Sequence, residues 1–144
     1  MGQRASDSTT ITASPDAVYA VISDLDAYTE WAEGIRSVEV LERDDAGLPV
    51  RAAFRVDARV AEISYTLLYT HERPDRMSWT LVDGDTVTQL DGLYELTDLD
   101  GATRVDYSLE VDLSLPLPGF MLKRGARTIL DTGLRGLKKR VEGA

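Results

Sequence analysis

Residues 104–141 read RVDYSLEVDLSLPLPGFMLKRGARTILDTGLRGLKKRV, and the spacing of their apolar side chains changes midway. From Val105 to Leu113 every second residue is apolar, which is typical of a β-strand with one buried face. Pro116 and Pro118 end that strand, and from Gly119 onward apolar residues recur at three- and four-residue steps. This second spacing predicts an amphipathic helix of about six turns at the end of the chain.

Alternating apolar and polar residues also occur in several segments before residue 104, and turn sequences separate these segments. Asp with Gly or Pro marks turns at residues 44–47, 74–75, 83–85 and 98–101. A first short strand is predicted at residues 7–12, and Ser14-Pro15-Asp16 then favours a helix start.

A second short helix is predicted at residues 28–32. The element order is therefore a strand, two short helices, about six further strands and one long helix. Such an antiparallel sheet can bury its apolar face only by curling around the long helix. The predicted fold class is α+β, with 6–7 curved strands in a single domain of residues 1–144.

The composition excludes several kinds of site. The 144 residues contain no cysteine and one histidine, His71, which removes disulfides, thiolate nucleophiles, zinc ribbons and iron–sulfur clusters. The carboxylates are scattered over turns and strand faces, so neither a metal site nor a cofactor is predicted.

Charge is distributed unevenly along the chain. The net charge is −9, but residues 118–144 hold seven basic and two acidic residues, which leaves that segment at +5 and the remainder at −14. An acidic surface argues against DNA binding, because such binding depends on phosphate neutralisation. The basic residues are either the solvated face of the helix or a docking surface for an acidic partner such as an acyl carrier protein, ribosomal RNA or an anionic membrane. The residues considered for that surface are Lys123, Arg127 and Lys138.

Targeting signals are not evident. No apolar run approaches the ~20 residues of a membrane span, and the first ten residues lack the apolar core of a secretory signal. Thirteen arginines against three lysines are typical of a bacterial, GC-rich coding bias. We therefore expect a soluble, cytoplasmic, bacterial protein, and the pattern leaves monomer and dimer equally open.

Four stretches carry a family resemblance: ITASPDAVY (11–19), DLDAYTEW (24–31), DGLYEL (91–96) and LPLPGF (115–120). Together they resemble the START-like helix-grip superfamily (SRPBCC). Within it the chain is similar to the polyketide cyclase/dehydrase family, which also includes coenzyme-Q-binding proteins and ribosome-association toxins. The resemblance implies a deep cavity between the sheet and the long helix for hydrophobic ligands such as lipids, quinones or polyketides.

Strand alternation and helix spacing indicate which side chains would line that cavity. Several tyrosines around one apolar volume suit a ligand pocket with sparse polar anchors, because a buried hydroxyl requires a partner. The alternative is that the whole set is ordinary core. The candidates are Trp31, Phe54, Tyr65, Leu67, Tyr69, Trp79, Tyr94 and Tyr107, facing Met121, Ile129, Leu130 and Leu134 on the helix.

Polar candidates for chemistry are few. His71 continues the inward register of Tyr69 at the end of its strand, where it is either a partly exposed surface residue or a polar group of the cavity. In the cyclases of the family, an arginine and polar residues inside the cavity are thought to steer an aldol condensation. Here Arg51, Arg55 and Arg59 alternate with inward residues and are predicted to point outward.

Glycines 125, 133 and 136 interrupt the long helix at a cost of roughly 1 kcal/mol each relative to alanine. They serve either to bend the helix and admit a ligand or to pack against bulky strand residues.

Three functions follow. The favoured one is a carrier or sensor that binds a hydrophobic molecule without turning it over. The first alternative is a polyketide aromatase/cyclase in which Tyr65, Tyr69 or His71 assists enolisation, and the second is an interaction module of the ribosome-association type.

Overall fold

The computed structural model describes residues 2–57 and 62–143. The first four elements of the chain are β1 (Gln3–Ile11), α1 (Pro15–Ser23), a 3-10 turn (Leu25–Ala27) and α2 (Tyr28–Trp31). The following strands are β2 (Ile35–Arg43), β3 (Pro49–Asp57), β4 (Glu62–Glu72), β5 (Arg76–Gly84), β6 (Val87–Asp98) and β7 (Thr103–Leu113). The chain closes with the long helix α3 (Gly119–Glu142).

The strands form one seven-stranded antiparallel sheet in the order β1-β7-β6-β5-β4-β3-β2. Residues that pair across antiparallel strands project from the same face of the sheet. Phe54 pairs with Tyr65, Tyr69 with Trp79, and Tyr94 with Tyr107. The register therefore places aromatic side chains of five strands on a single face.

Helix α1 begins where its sequence predicts. The Ser14 hydroxyl accepts a hydrogen bond from the Ala17 amide at 3.2 Å, and Pro15 occupies the first helical position. Val18, Tyr19 and Ile22 form its buried side, which closes one end of the core.

Helix α3 lies along the concave face and packs chiefly against β1 and β7. Its buried stripe consists of Ala126, Leu130, Leu134 and Leu137. Two side chains tie it to β1: Arg127 donates to the Ser6 carbonyl at 2.9 Å, and Lys138 donates to the Thr10 carbonyl at 2.5 Å. The predicted architecture, a curved antiparallel sheet around a long C-terminal helix, is confirmed.

Two predicted cavity residues on α3 are placed wrongly by the sequence pattern. Met121 is 43% exposed and Ile129 is 50% exposed. At 3.6 residues per turn, Ile129 is rotated about 100° from Leu130 and Met121 about 140° from Ala126, so both leave the buried stripe. The three- and four-residue spacing of apolar residues predicts both to be buried, because the apolar residues of α3 cover a wider arc of the helix than the face that packs against the sheet.

Arg59, which is predicted to point outward, lies outside the described residues. Within residues 2–57 and 62–143, no helix is long and apolar enough to cross a bilayer.

Candidate functional site

Two groups of rings line the concave face of the sheet, and together we call them the aromatic wall: Phe54 with Tyr65, and Tyr69 with Trp79, Tyr94 and Tyr107. Its ring centroids lie 4.4–5.9 Å apart between neighbours, with the tightest pair, Tyr94 and Tyr107, stacked at 4.4 Å. Such distances are those of favourable aromatic pairs. The wall consists of Phe54 (β3), Tyr65 and Tyr69 (β4), Trp79 (β5), Tyr94 (β6) and Tyr107 (β7).

Helix α2 adds two rings at one side of the wall. Trp31 meets Tyr28 edge-on at 5.1 Å, and Tyr28 lies 6.5 Å from Phe54. The Tyr28 hydroxyl donates to the Ile22 carbonyl and its ring is buried, so Tyr28 belongs to the core. Trp31 is only partly buried and lies between the wall and α3.

Two of the three helix glycines pack against these rings. A Cβ on Gly133 would lie 3.2 Å from Cε2 of Tyr107, and one on Gly136 would lie 3.3 Å from Cε3 of Trp31. Gly125 has no such neighbour within 4 Å among the described residues. Close packing therefore accounts for the glycines at 133 and 136, since a side chain at either position would require its neighbours to shift.

The polar atoms among these rings are incompletely paired. The indole nitrogen Nε1 of Trp31 is buried and has no hydrogen-bond partner in the described part of the chain. A buried donor without an acceptor costs about 1–3 kcal/mol, so the Trp31 indole N–H is available to an incoming acceptor.

Burial controls the ionisation of the wall. Desolvation raises the pKa of Tyr65 and of Tyr69 well above the usual value near 10, and neighbouring tyrosines raise it further. Desolvation also raises the pKa values of Tyr94 and Tyr107. At neutral pH these hydroxyls are therefore protonated donors and not bases.

His71 lies at the end of β4, partly buried, and both its ring nitrogens are occupied. Nε2 donates to the Pro49 carbonyl at 2.6 Å, and Nδ1 lies 2.7 Å from the Tyr19 hydroxyl. The same hydroxyl lies 3.0 Å from the Arg76 carbonyl. His71 thus joins α1 to the ends of three strands, a role that its sequence position did not indicate because Tyr19 is 52 residues away.

Arg51 and Arg55, which are predicted to point outward, form ion pairs on the exposed side of their strand. Arg55 pairs with Glu62 at 3.2 Å, and Arg51 lies 3.8 Å from Glu42, all on exposed side chains. Arg59 falls outside the described residues.

The three basic residues considered for a docking surface differ in their surroundings. Arg127 and Lys138 are held against β1, and they also pair with Asp7 at 3.6 Å and Glu142 at 3.3 Å. Lys123 is exposed and forms no ion pair with any described residue. Within the part of the chain that the structure describes, Lys123 is therefore the one cation of this set without an ion pair.

Two open clefts lie against the strands, with volumes of about 390 and 270 Å³. Serines and charged side chains supply most of the lining of the larger cleft. The smaller cleft is lined by polar residues and also by Phe54 and Tyr65. In residues 2–57 and 62–143, no three acidic or histidine side chains cluster as a metal site would require.

Comparison with known proteins agrees with this architecture. Residues 2–142 match the family model described as polyketide cyclase/dehydrase and lipid transport. No curated protein sequence matches the chain.

Solved structures extend the likeness at low sequence identity. A START superfamily protein from Mycobacterium smegmatis is 24% identical over 99% of both chains, with a TM-score of 0.90. The Zhui aromatase/cyclase from Streptomyces sp. R1128 is 14% identical over 99% of this chain and 94% of its own, with a TM-score of 0.81. A protein from Thermus thermophilus is 21% identical over 96% of both chains, with a TM-score of 0.79. At these identities the likeness establishes a shared START-like helix-grip fold.

Proposed function

Because the chain belongs to the polyketide cyclase/dehydrase and lipid transport family, we propose that it binds a hydrophobic, ring-bearing molecule between the aromatic wall and α3. The protein acts as a carrier or sensor that does not turn the ligand over. A lipid, a quinone or a polyketide-like compound with a hydrogen-bond acceptor fits this description.

The observation that carries the proposal is the unpaired indole N–H of Trp31. It is a buried donor without a protein acceptor in the described chain, beside Tyr28 and within the rings that lead to Phe54. Buried polar groups in proteins nearly always have a partner, so an unpaired one beside an apolar surface favours a ligand acceptor at that place.

The side chains of the site favour binding over catalysis. The tyrosines with raised pKa values donate hydrogen bonds at neutral pH, and His71 already uses both nitrogens. Arg51 and Arg55 point away from the concave face. The described residues thus offer donors and apolar surface, but no base positioned to abstract a proton.

A polyketide aromatase/cyclase is the alternative function, and the family description and the likeness to the Zhui enzyme favour it. In that case Tyr65 or Tyr69 would donate to a developing enolate. The ribosome-association alternative has less support, since Arg127 and Lys138 are engaged with β1 and Glu142.

A matched pair of probes tests the proposal: the aromatic ketone 2-acetylnaphthalene and the hydrocarbon 2-isopropenylnaphthalene, which has nearly the same shape. Calorimetric titration should show saturable binding of both compounds, with the ketone tighter by about 2- to 10-fold, the value of one hydrogen bond. Trp31→Phe keeps an aromatic ring but removes the donor, so it should abolish the advantage of the ketone.

The control is Trp79→Phe, which removes the other indole but leaves Trp31 in place. It should preserve the preference for the ketone even if both affinities fall. Failure of either probe to bind would contradict the proposal, and release of a cyclised product from a reconstituted polyketide assay would favour the enzyme instead.

A further inference from the structure

A second surface lies in the first two turns of α3, immediately before the ion-paired Arg127. Phe120 is 65% exposed and Met121 is 43% exposed, and the adjacent Lys123 and Arg124 are exposed as well. We call these four residues the α3 entry patch. Residues 115–118, LPLP, lead into it and add further apolar atoms.

The charge around the patch contrasts with that of the molecule. Residues 113–130 contain three basic residues and no acidic one, in a chain whose net charge is −9. Lys123 and Arg124 have no ion-pair partner in the described part of the protein, whereas Arg127, Lys138 and Arg140 each have one. The first two turns of α3 therefore present uncompensated positive charge beside large apolar side chains.

We propose that the α3 entry patch docks the protein on an anionic lipid bilayer. Phe120 and Met121 would enter the boundary between headgroups and acyl chains, and Lys123 and Arg124 would lie at the phosphate level. Apolar side chains next to lysine and arginine are the composition of interfacial helices, and each basic residue near an anionic leaflet adds attraction.

A bilayer fits this patch better than an acidic protein does. Phe120 and Met121 protrude from a helix start, and a fluid bilayer accepts protruding side chains without a complementary pocket. A protein partner would have to supply such a pocket for each of them. The proposal depends only on these surface residues and stands whether or not the aromatic wall binds a ligand.

The test is co-flotation of the full chain with phosphatidylcholine vesicles, with and without phosphatidylglycerol. Binding should require phosphatidylglycerol and weaken as salt is raised. Lys123→Glu/Arg124→Glu should reduce the bound fraction by more than about tenfold, and Phe120→Ser should reduce it without changing the charge.

Two matched controls separate the patch from general effects. Arg135→Glu/Lys139→Glu makes the same change of charge at exposed positions further along α3, and Leu99→Ser removes an exposed leucine from the β6–β7 turn. Both should bind vesicles as the unmodified protein does. Equal loss in the two charge variants, no binding to any vesicle, or binding to an acidic carrier protein instead would overturn the proposal.

Discussion

The indole of Trp79 on β5 lies across the α-carbon of Gly92, its register partner on β6. A Cβ on Gly92 would overlap two carbons of the indole and lie 2.5 Å from Nε1. The missing side chain lets the indole approach Tyr94 and Tyr107, at 5.5 and 5.9 Å. The centre of the aromatic wall therefore depends on a glycine.

Gly92→Ala should destabilise the fold by about 1–3 kcal/mol, because the new methyl group must displace a packed indole. Urea unfolding followed by circular dichroism measures the change. Gly125→Ala is the control: with no neighbour within 4 Å, it should stabilise α3 by about 0.5–1 kcal/mol. Equal effects of the two substitutions would show that helix and strand propensity, and not the Trp79 contact, govern both sites.

The tyrosines should resist ionisation until the protein unfolds. Burial raises the pKa of Tyr19 to about 12 and raises the pKa values of the other five as well. Tyrosines of the unfolded chain ionise near pH 10. Above that pH the unfolded state binds fewer protons than the folded state does. The contribution of the tyrosines to the free energy of unfolding is therefore fully present below about pH 10 and falls as the pH rises further.

Absorbance of tyrosinate and circular dichroism, recorded together during an alkaline titration, check this prediction. The tyrosinate signal should appear only as the native spectrum is lost. A reversible signal near pH 10 with the fold intact would contradict it.

The hydroxyl of Tyr19 should couple energetically to His71. Tyr19→Phe leaves Nδ1 of His71 and the Arg76 carbonyl without their partner, at a cost of about 1–3 kcal/mol. In a His71→Phe background the cost should be smaller, because Nδ1 is already absent. Tyr28→Phe removes a hydroxyl bonded to Ile22 instead, and its cost should simply add to that of His71→Phe. Additivity for Tyr19 would contradict the link.

Neighbouring positions on α3 should differ sharply in their contribution to stability. Leu130→Ala empties a fully buried position and should cost about 2–5 kcal/mol. Ile129→Ala alters a side chain that is 50% exposed and should change stability by about 0.5 kcal/mol or less. Chemical denaturation measures the free energy of unfolding of both variants. A large loss of stability in Ile129→Ala would contradict the exposed position of Ile129.

The strand part of the site could be predicted because alternation has only two outcomes. Once Val105 and Val111 are inward, Tyr107 must be inward too, and the same parity places Tyr65, Leu67 and Tyr69. Their inward positions are as predicted, and their role as ligand contacts stays a prediction. The buried face of the helix is harder to predict, because its apolar residues span more of its circumference than the sheet covers. Spacing alone therefore predicts Met121 and Ile129 to be inward, although both are exposed.

Long-range partners could not be predicted from local patterns. The Tyr19–His71 contact joins residues 52 apart in the sequence. The Trp31 nitrogen is unpaired because none of the described residues around it places an acceptor within hydrogen-bond distance. The turns of the sheet are specified by residues that are adjacent in the sequence, so they could be predicted from it. These contacts join residues that are distant in the sequence, and they form only when the sheet packs against the helix.

The central claim is that Trp31 donates to a ligand, and the indole N–H resonances of the ¹⁵N-labelled protein test it most directly. The chain has two tryptophans, so Trp79→Phe assigns the Trp31 signal. Titration with 2-acetylnaphthalene should move that signal downfield with saturation, while 2-isopropenylnaphthalene should cause no comparable downfield shift. A Trp31 resonance that is unchanged by the ketone would contradict the claim.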